Sequence, residues 1–501
     1  MTSKGNSYDV IIVGGGPAGI FAALELAAKP GLRVLLLEKG ADISRRRCPA
    51  RDTGMCVHCP TCDITTGWGG AGAFSDGKLT LGTEVGGWLG DYVDNDGLRR
   101  LISDVDGIWR QFGAPDRLYG ETGDRHEHWA DLAARQGLRL VRSPVRHLGT
   151  ERSVSVLAAM KSYLDTRIDI RTDCAVASII AADGTPPPRK RAAAGHAQPM
   201  AKPYSKGPRA AGEGAAGDLG RVAGVVTTDG TTYEAPVVIA APGREGSAWL
   251  SAEAERLGID LVSNAVDIGV RVEVPAVVTD IITDELYEPK LLYTSRHFED
   301  QVRTFCVNPR GEVCTECWGD AVTVNGHSYA DSANKTSNTN FALLVSTRFT
   351  VPFKEPLAYG KSVARLANML GKDILVQRLG DLRNGHRTTA ERLRRGIVEP
   401  TLKAATPGDL SFALPYRHLR NLVDMLDAMD ALLPGVGGRD TLLYGVEVKF
   451  YSSRLTLDSD LQTPVKGLYA VGDGAGVTRG LVQASAAGLV AARAARAAGA
   501  R

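Results

Sequence analysis

The sequence predicts an α/β fold in which the two chain ends build one parallel-sheet domain around an inserted α+β domain. Three observations carry this. The chain opens with an apolar run, a glycine turn, a helical run and a second apolar run. It closes with a short apolar run, another glycine-rich turn and a small-residue helical stretch, Leu481–Ala498. Between residues 251 and 440 the character changes to strand-like runs followed by helical ones. A strand–helix–strand start is one βαβ unit, and such units form parallel sheets covered by helices.

The elements follow in order. Tyr8–Val13 is a β-rich run, Ile20–Lys29 has helical composition and Pro30-Gly31 stops it. Arg33–Leu37 is the second strand, ended by Glu38. Cys48 to Gly90 is rich in Gly, Cys and Asp and reads as ordered loop, and 94–167 reads as mostly helical. Ala175–Ile180 and Arg221–Thr228 read as paired strands. The Ala-, Gly- and Pro-rich stretch between them, 183–220, reads as a disordered loop that cannot bury enough apolar surface to order itself. Pro236–Ala240 is another apolar run. In the inserted part, Ala265–Val278 and Leu291–Val324 suggest strands, Leu357–Leu370 and Tyr416–Leu433 helices. The expected domains are therefore 1–250 with 441–501, and 251–440.

Composition narrows the class. A chain of 501 residues, 44% hydrophobic and 23% charged, can bury two or three cores. Its net charge of +2 offers nothing to nucleic acid or to an acidic membrane surface. No apolar run is long enough to span a bilayer, and Met1–Gly5 opens no secretory pattern, so a cytoplasmic protein is expected.

Gly14-Gly15-Gly16-Pro17-Ala18-Gly19 satisfies G-x-G-x-x-G at the strand-to-helix turn. Gly14 permits the tight turn, Gly16 lets backbone approach a pyrophosphate, and Gly19 lets helix pack on strand. The helix N-terminus offers unpaired N–H groups and a positive dipole. Glu38 stands where a carboxylate accepts ribose hydroxyls, with Lys39 beside it, and an acid there repels the 2′-phosphate of NADP. Together these predict a Rossmann-like dinucleotide site holding NAD or FAD. No second fingerprint with a following acid appears, so a dedicated NAD(P)H domain is not expected; NAD(P)H remains open as a transient electron donor.

Gly467–Ala475, with Gly472-Asp473 past a strand, resembles the second flavin motif of FAD enzymes with the glutathione-reductase-type fold. That resemblance implies that Asp473 binds the flavin ribityl and phosphate region. It also implies that the helix starting near Gly480-Leu481 points its N-terminus at the flavin, a favourable dipole worth about 1 kcal/mol for reduced flavin. Val238–Gly243 resembles the apolar strand, ending in Gly243, that passes the cofactor there. The glycine block Gly67–Leu79, with Cys56–Cys62 upstream, Arg303–Gly311, Val324–Ser328 and Gly472–Gly480, resembles a group of largely uncharacterised bacterial FAD-dependent dehydrogenases. Members of that group often read Phe-Cys-Met-Cys-Pro-Gly-Gly where this chain has Cys306-Val307-Asn308-Pro309-Arg310-Gly311. The resemblance implies FAD and a redox reaction on a small organic substrate. The alternatives are a flavin monooxygenase using NAD(P)H and O2, or a non-catalytic FAD-binding redox or partner protein.

Within the glycine block, Gly69, Gly70 and Ala71 permit close backbone approach to the cofactor, and Ser75 or Lys78 has a donor for it. Arg45, Arg46 and Arg47 stand where they could clamp phosphates, Arg47 foremost. Cys48, Cys56, Cys59 and Cys62 fall within fifteen residues. Tetrahedral zinc, an iron–sulfur cluster, a redox disulfide and packed thiols all compete there, and no metal is assigned. For acid–base or thiol chemistry the inserted part offers His327 and Cys306, and beyond them His297, Tyr293, Tyr329 and Arg348.

Overall fold

The computed structural model describes residues 5–29, 31–49, 57, 59–75, 77–120, 123–182, 219–262, 264–318, 320–329, 332–347 and 356–498. The expected loop 183–220 thus lies outside the described residues except for Leu219 and Gly220. Cys56, His58 and Arg348 also lie outside them. The chain forms two compact units. One comprises Met1–Asp116, Arg146–Asn264 and Ser452–Arg501; the other comprises Arg117–Val145 and Ala265–Tyr451.

In the first unit, β1 (Val10–Val13) leads through a glycine turn into α1 (Pro17–Ala27) and on to β2 (Val34–Leu37). β3 (Asp169–Arg171), β4 (Val237–Ala240) and β5 (Leu468–Ala470) complete a sheet of order β5-β4-β1-β2-β3. All its pairings are parallel. The central strands read as unbroken apolar runs because both faces are covered, and β1, β2 and β4 are buried at every position. The last helix, α2 (Leu481–Ala498), lies on α1. A β-carbon on Gly488 would sit 2.1 Å from the Ala18 carbonyl oxygen, so only glycine allows that approach.

The second unit centres on an eight-stranded, mainly antiparallel sheet. Its long strand Val266–Pro275 pairs with Asn338–Thr347 on one side and Leu442–Lys449 on the other. Period-2 alternation splits its faces. Val266, Ile268, Val270, Val272 and Val274 join a core with Val363 and Ala364 of the helix Pro356–Gly371 and Met425 of the helix Tyr416–Leu432. Asp267, Arg271 and Glu273 face the other way and are nevertheless buried.

The expected domain boundaries are corrected: 117–145 and 441–451 belong to the second unit, and 251–264 to the first. Leu442–Lys449, assigned to the first domain, lies inside the second unit's sheet, because its hydrogen-bond partners are Val266–Pro275 and Leu375–Arg378. The stretch 94–167, expected to be mostly helical, holds the helices Asn95–Gln111, Asp124–Arg135 and Gly149–Leu164, and between the last two the strand Leu138–Val141, which pairs with Lys290–Thr294 at the edge of that same sheet.

Candidate cofactor site

The site of the first unit is built from backbone turns, and each turn has a steric reason. Gly14 has φ +109°, and a β-carbon there would lie 2.1 Å from the Ala241 carbonyl oxygen. One on Gly19 would lie 1.9 Å from the Gly14 carbonyl oxygen. These two glycines are demanded by packing. Gly16 differs: it precedes Pro17 at the start of α1, no side chain caps that helix end, and a β-carbon there meets nothing within 4 Å. Gly243 and Gly480 share that openness.

The other expected segments converge on the same turn. The Gly69 N–H donates to the Gly15 carbonyl at 2.7 Å. In the short 3-10 turn Gly70–Phe74, a β-carbon on Gly70 would lie 3.2 Å from Gly16 Cα, and one on Gly72 would lie 2.5 Å from Leu481. Ala71 lies in the same turn. Ser75 ends it, its hydroxyl donating to the Gly72 carbonyl at 3.0 Å and accepting from the Gly77 N–H at 3.2 Å. Gly472 comes 3.1 Å from Ala18 by the same measure, and Gly474 2.4 Å from the Gly243 carbonyl oxygen. Four chain segments thus surround one helix N-terminus.

Glu38 is buried and its carboxylate accepts three backbone N–H groups, from Gly15 at 2.6 Å, Gly40 at 2.8 Å and Gly67 at 2.9 Å. A carboxylate has about four lone-pair positions, so about one remains for a ribose hydroxyl. Asp473 lies in the turn Asp473–Ala475; the Thr478 hydroxyl donates to it at 2.9 Å, and Arg244 Nε stands 3.6 Å away. Burial pushes its carboxyl above the usual range, while Arg244 and the Thr478 hydroxyl pull it down. Arg244 was not singled out from the sequence, although it directly follows Gly243.

The three arginines separate. Arg46 is buried and donates to the carbonyls of Asp63, Ile64 and Trp68, at 2.8, 3.0 and 2.6 Å, with its guanidinium over the Phe74 ring. Burial lowers its pKa to about 10, and its role is to hold the glycine block rather than to clamp a phosphate. Arg45 pairs with Asp173. Arg47 and Lys39 are exposed.

Cys306 and His327 belong to the second unit and are partly buried there. Cys306 has φ +42° at an irregularity in the pairing of its strand, and its carbonyl accepts from Arg271 Nη1 at 2.9 Å. Arg271, fully buried, grips Glu447 through two bonds of 2.8 and 2.7 Å, and Lys449 lies 3.1 Å from Glu447. This network escaped the sequence reading. His327 ends the strand Ala321–His327, opposite Glu312. His297 Nδ1 pairs with Asp424 at 2.7 Å, Tyr293 is buried, and the Tyr329 hydroxyl donates to Glu312. Among the described residues no cluster of His, Cys, Asp or Glu has the makings of a metal site, and Cys48, Cys59, Cys62, Cys174 and Cys314 are free thiols.

A parallel sheet, a glycine turn opening α1, a buried acid after β2 and an aspartate turn before α2 define a dinucleotide-binding flavoprotein. The glycines fit that group: Gly16, Gly243 and Gly480 leave open space where a backbone-hugging ligand needs it. Residues 9–163 match the family described as FAD dependent oxidoreductase, and residues 265–450 match that described as FAD-dependent protein, C-terminal domain-like. Two separate segments of the chain are thus similar to FAD-dependent families. A relative from Clostridium beijerinckii, described as an uncharacterized protein, is 25% identical over 508 residues, spanning 96% of this chain and 79% of its own. Similar solved structures include 3-ketosteroid-delta4-(5alpha)-dehydrogenase from Rhodococcus jostii, with 13% identity and TM-score 0.43, covering 99% of this chain and 98% of that one. They also include glycine oxidase from Bacillus cereus, with 13% identity and TM-score 0.35, covering 98% and 95%. At this level of likeness nothing about a substrate follows. Among the described residues no helix is long and apolar enough to cross a membrane.

Proposed function

We propose that the chain is a dehydrogenase or reductase that passes a hydride between bound FAD and a small organic substrate in the cytoplasm. The observation that carries this is the converging cradle of Gly16, Gly70, Gly243, Asp473 and Gly480, in which open β-carbon positions stand beside glycines fixed by packing. Bound there, FAD supplies the redox chemistry, and the protein supplies position, charge and exclusion of water. Gly14, Gly16, Pro17, Ala18 and Gly19 would hold the pyrophosphate. Glu38 would hold the ribose; Gly69, Gly70, Ala71 and Ser75 would hold the turn facing it. Gly243, Gly472, Asp473, Gly480 and Leu481 would hold the ribityl chain and flavin, with Lys39 and Arg47 at the exposed adenine side.

The second unit would bind substrate. The buried charges on one face of its sheet, and the left-handed backbone at Cys306, support that role, since costs of this kind concentrate at working sites. The free thiols support a reducing compartment.

The test is an anaerobic absorbance spectrum before and after NADH or NADPH. Bleached flavin bands assign a reductase or monooxygenase fed by nicotinamide, which oxygen uptake with substrate then separates. Bands that persist assign a dehydrogenase reduced by its organic substrate. Correctly folded protein that binds no flavin would refute the proposal.

A further inference from the structure

Arg244 stands where two turns of the cradle meet. Its segment touches the glycine turn directly, since a β-carbon on Gly14 would lie 3.3 Å from Pro242 Cα. It touches the aspartate turn as well, because a β-carbon on Gly474 would lie 2.4 Å from the Gly243 carbonyl oxygen. The backbone beneath the side chain is a closed turn: the Gly246 N–H donates to the Pro242 carbonyl at 3.3 Å and the Ser247 N–H to the Arg244 carbonyl at 3.2 Å. From there the guanidinium reaches the buried end of the cradle, with Nε 3.6 Å from Asp473 Oδ2. Among the described residues it has no other partner. The side chain is 44% exposed, so its remaining donors stand within reach of an arriving group. The other cations of these segments are placed differently: Arg479 lies over the Trp88 ring at 4.0 Å, and Lys78 is buried.

An anion held at the start of α1 would share the cradle with the Asp473 carboxylate, and like charges repel strongly where water is displaced. A cation beside that carboxylate, with free donors, removes the conflict. A guanidinium suits the role because its planar fork can grip a phosphate on one edge while Nε faces the carboxylate. FAD brings such an anion in its pyrophosphate. We infer that Arg244 binds the pyrophosphate of bound FAD through its Nη groups, making it a cofactor-binding residue. It is then also the charge that lets Asp473 and the phosphates occupy one cradle. The inference rests on the flavin reading of that cradle.

The test separates phosphate from flavin. Protein freed of FAD is titrated calorimetrically with three ligands: FAD, ADP-ribose, which keeps the adenosine pyrophosphate and lacks the flavin, and riboflavin, which lacks both phosphates. Native protein is compared with Arg244→Met and Arg244→Lys. Arg244→Met should weaken FAD and ADP-ribose at least about tenfold each, the loss of a charge-assisted bond, and riboflavin less than about twofold. Arg244→Lys should recover part of the loss, because the charge returns without the fork. Equal weakening of all three ligands would overturn the inference, leaving Arg244 as the partner of Asp473 alone. An unchanged FAD affinity in Arg244→Met would overturn it as well. A measurement on native protein needs no variant to fold: phenylglyoxal should modify Arg244 in FAD-free protein, as read by peptide mass mapping, and saturating ADP-ribose should protect it where riboflavin does not. Modification at the same rate with ADP-ribose bound would refute the contact. Native protein that binds none of the three ligands would sink the flavin reading itself, and this inference with it.

Discussion

Glu38 is the most exposed to refutation, because its geometry gives it one duty and the proposed function a second. Replace it by glutamine, which keeps the shape and removes the charge. The carboxylate now takes three buried N–H groups, two on Oε1 and one on Oε2. An amide can keep its oxygen on Gly40 and Gly67, but its nitrogen then faces the Gly15 N–H, donor against donor. An unpaired buried N–H costs about 1–3 kcal/mol, and two bonds that fall from charge-assisted to neutral lose about 1 kcal/mol each. Relief from burying a charge returns part of this, so Glu38→Gln should destabilise the FAD-free protein by about 3 kcal/mol. That is a large share of the stability of a typical domain. The assay is urea unfolding of FAD-free protein, followed by circular dichroism. Repeated with FAD in excess, it reads the ribose contact separately, because ligand stabilisation scales with the logarithm of affinity. A Glu38→Gln protein within about 0.5 kcal/mol of native without FAD would refute the staple role of Glu38. An unchanged FAD increment would refute its ribose role.

Glycines of the two kinds should respond oppositely. Gly16→Ala has room for its methyl and should fold normally but bind FAD at least about tenfold more weakly, whereas Gly488→Ala, 2.1 Å from the Ala18 carbonyl oxygen, should lose about 1–3 kcal/mol by forcing α1 and α2 apart. Thermal melts and flavin titrations of both variants check this. His418, buried with Nε2 on the Thr347 hydroxyl at 2.9 Å, has its pKa pulled down to about 4 by burial. The unfolded chain takes up that proton near pH 6.5 and the folded one only near 4, so stability is full above 6.5 and falls as pH drops towards 4, by about 3 kcal/mol. Unfolding midpoints at pH 7.5 and 4.5 should show a shallower acid loss in His418→Gln; an identical pH slope would refute the assignment. Burial pushes the Cys314 thiol up to about 12, while Cys317 is exposed. Iodoacetamide at pH 8 followed by peptide mass mapping should label Cys317 and spare Cys314, since the thiolate is the nucleophile.

What the sequence revealed and what it hid divide along the range of the forces involved. The cofactor cradle was legible because its signals are local. A glycine that must turn, a helix that must start and an acid that must follow a strand all act within one βαβ unit, and α1, β2 and the helix Leu481–Ala498 fall where those signals put them. The partition of the chain was not legible. Leu442–Lys449 is an alternating apolar run whose neighbour is decided by pairing with Val266–Pro275, more than 160 residues earlier. The same holds for function in the second unit. Arg271 and Glu447, 176 residues apart, bury their charges against each other, and nothing local separates such an arginine from one that faces water. Arg46 and Arg47 make the point within two adjacent residues, one spent on three carbonyls beneath the glycine block and the other exposed. Cofactor identity could therefore be read from short motifs, since every such cradle meets the same phosphates and ribose. If the second unit binds substrate as proposed, its choice would rest on side chains that only the folded sheet brings together, the Arg271–Glu447–Lys449 face among them, rather than on any motif.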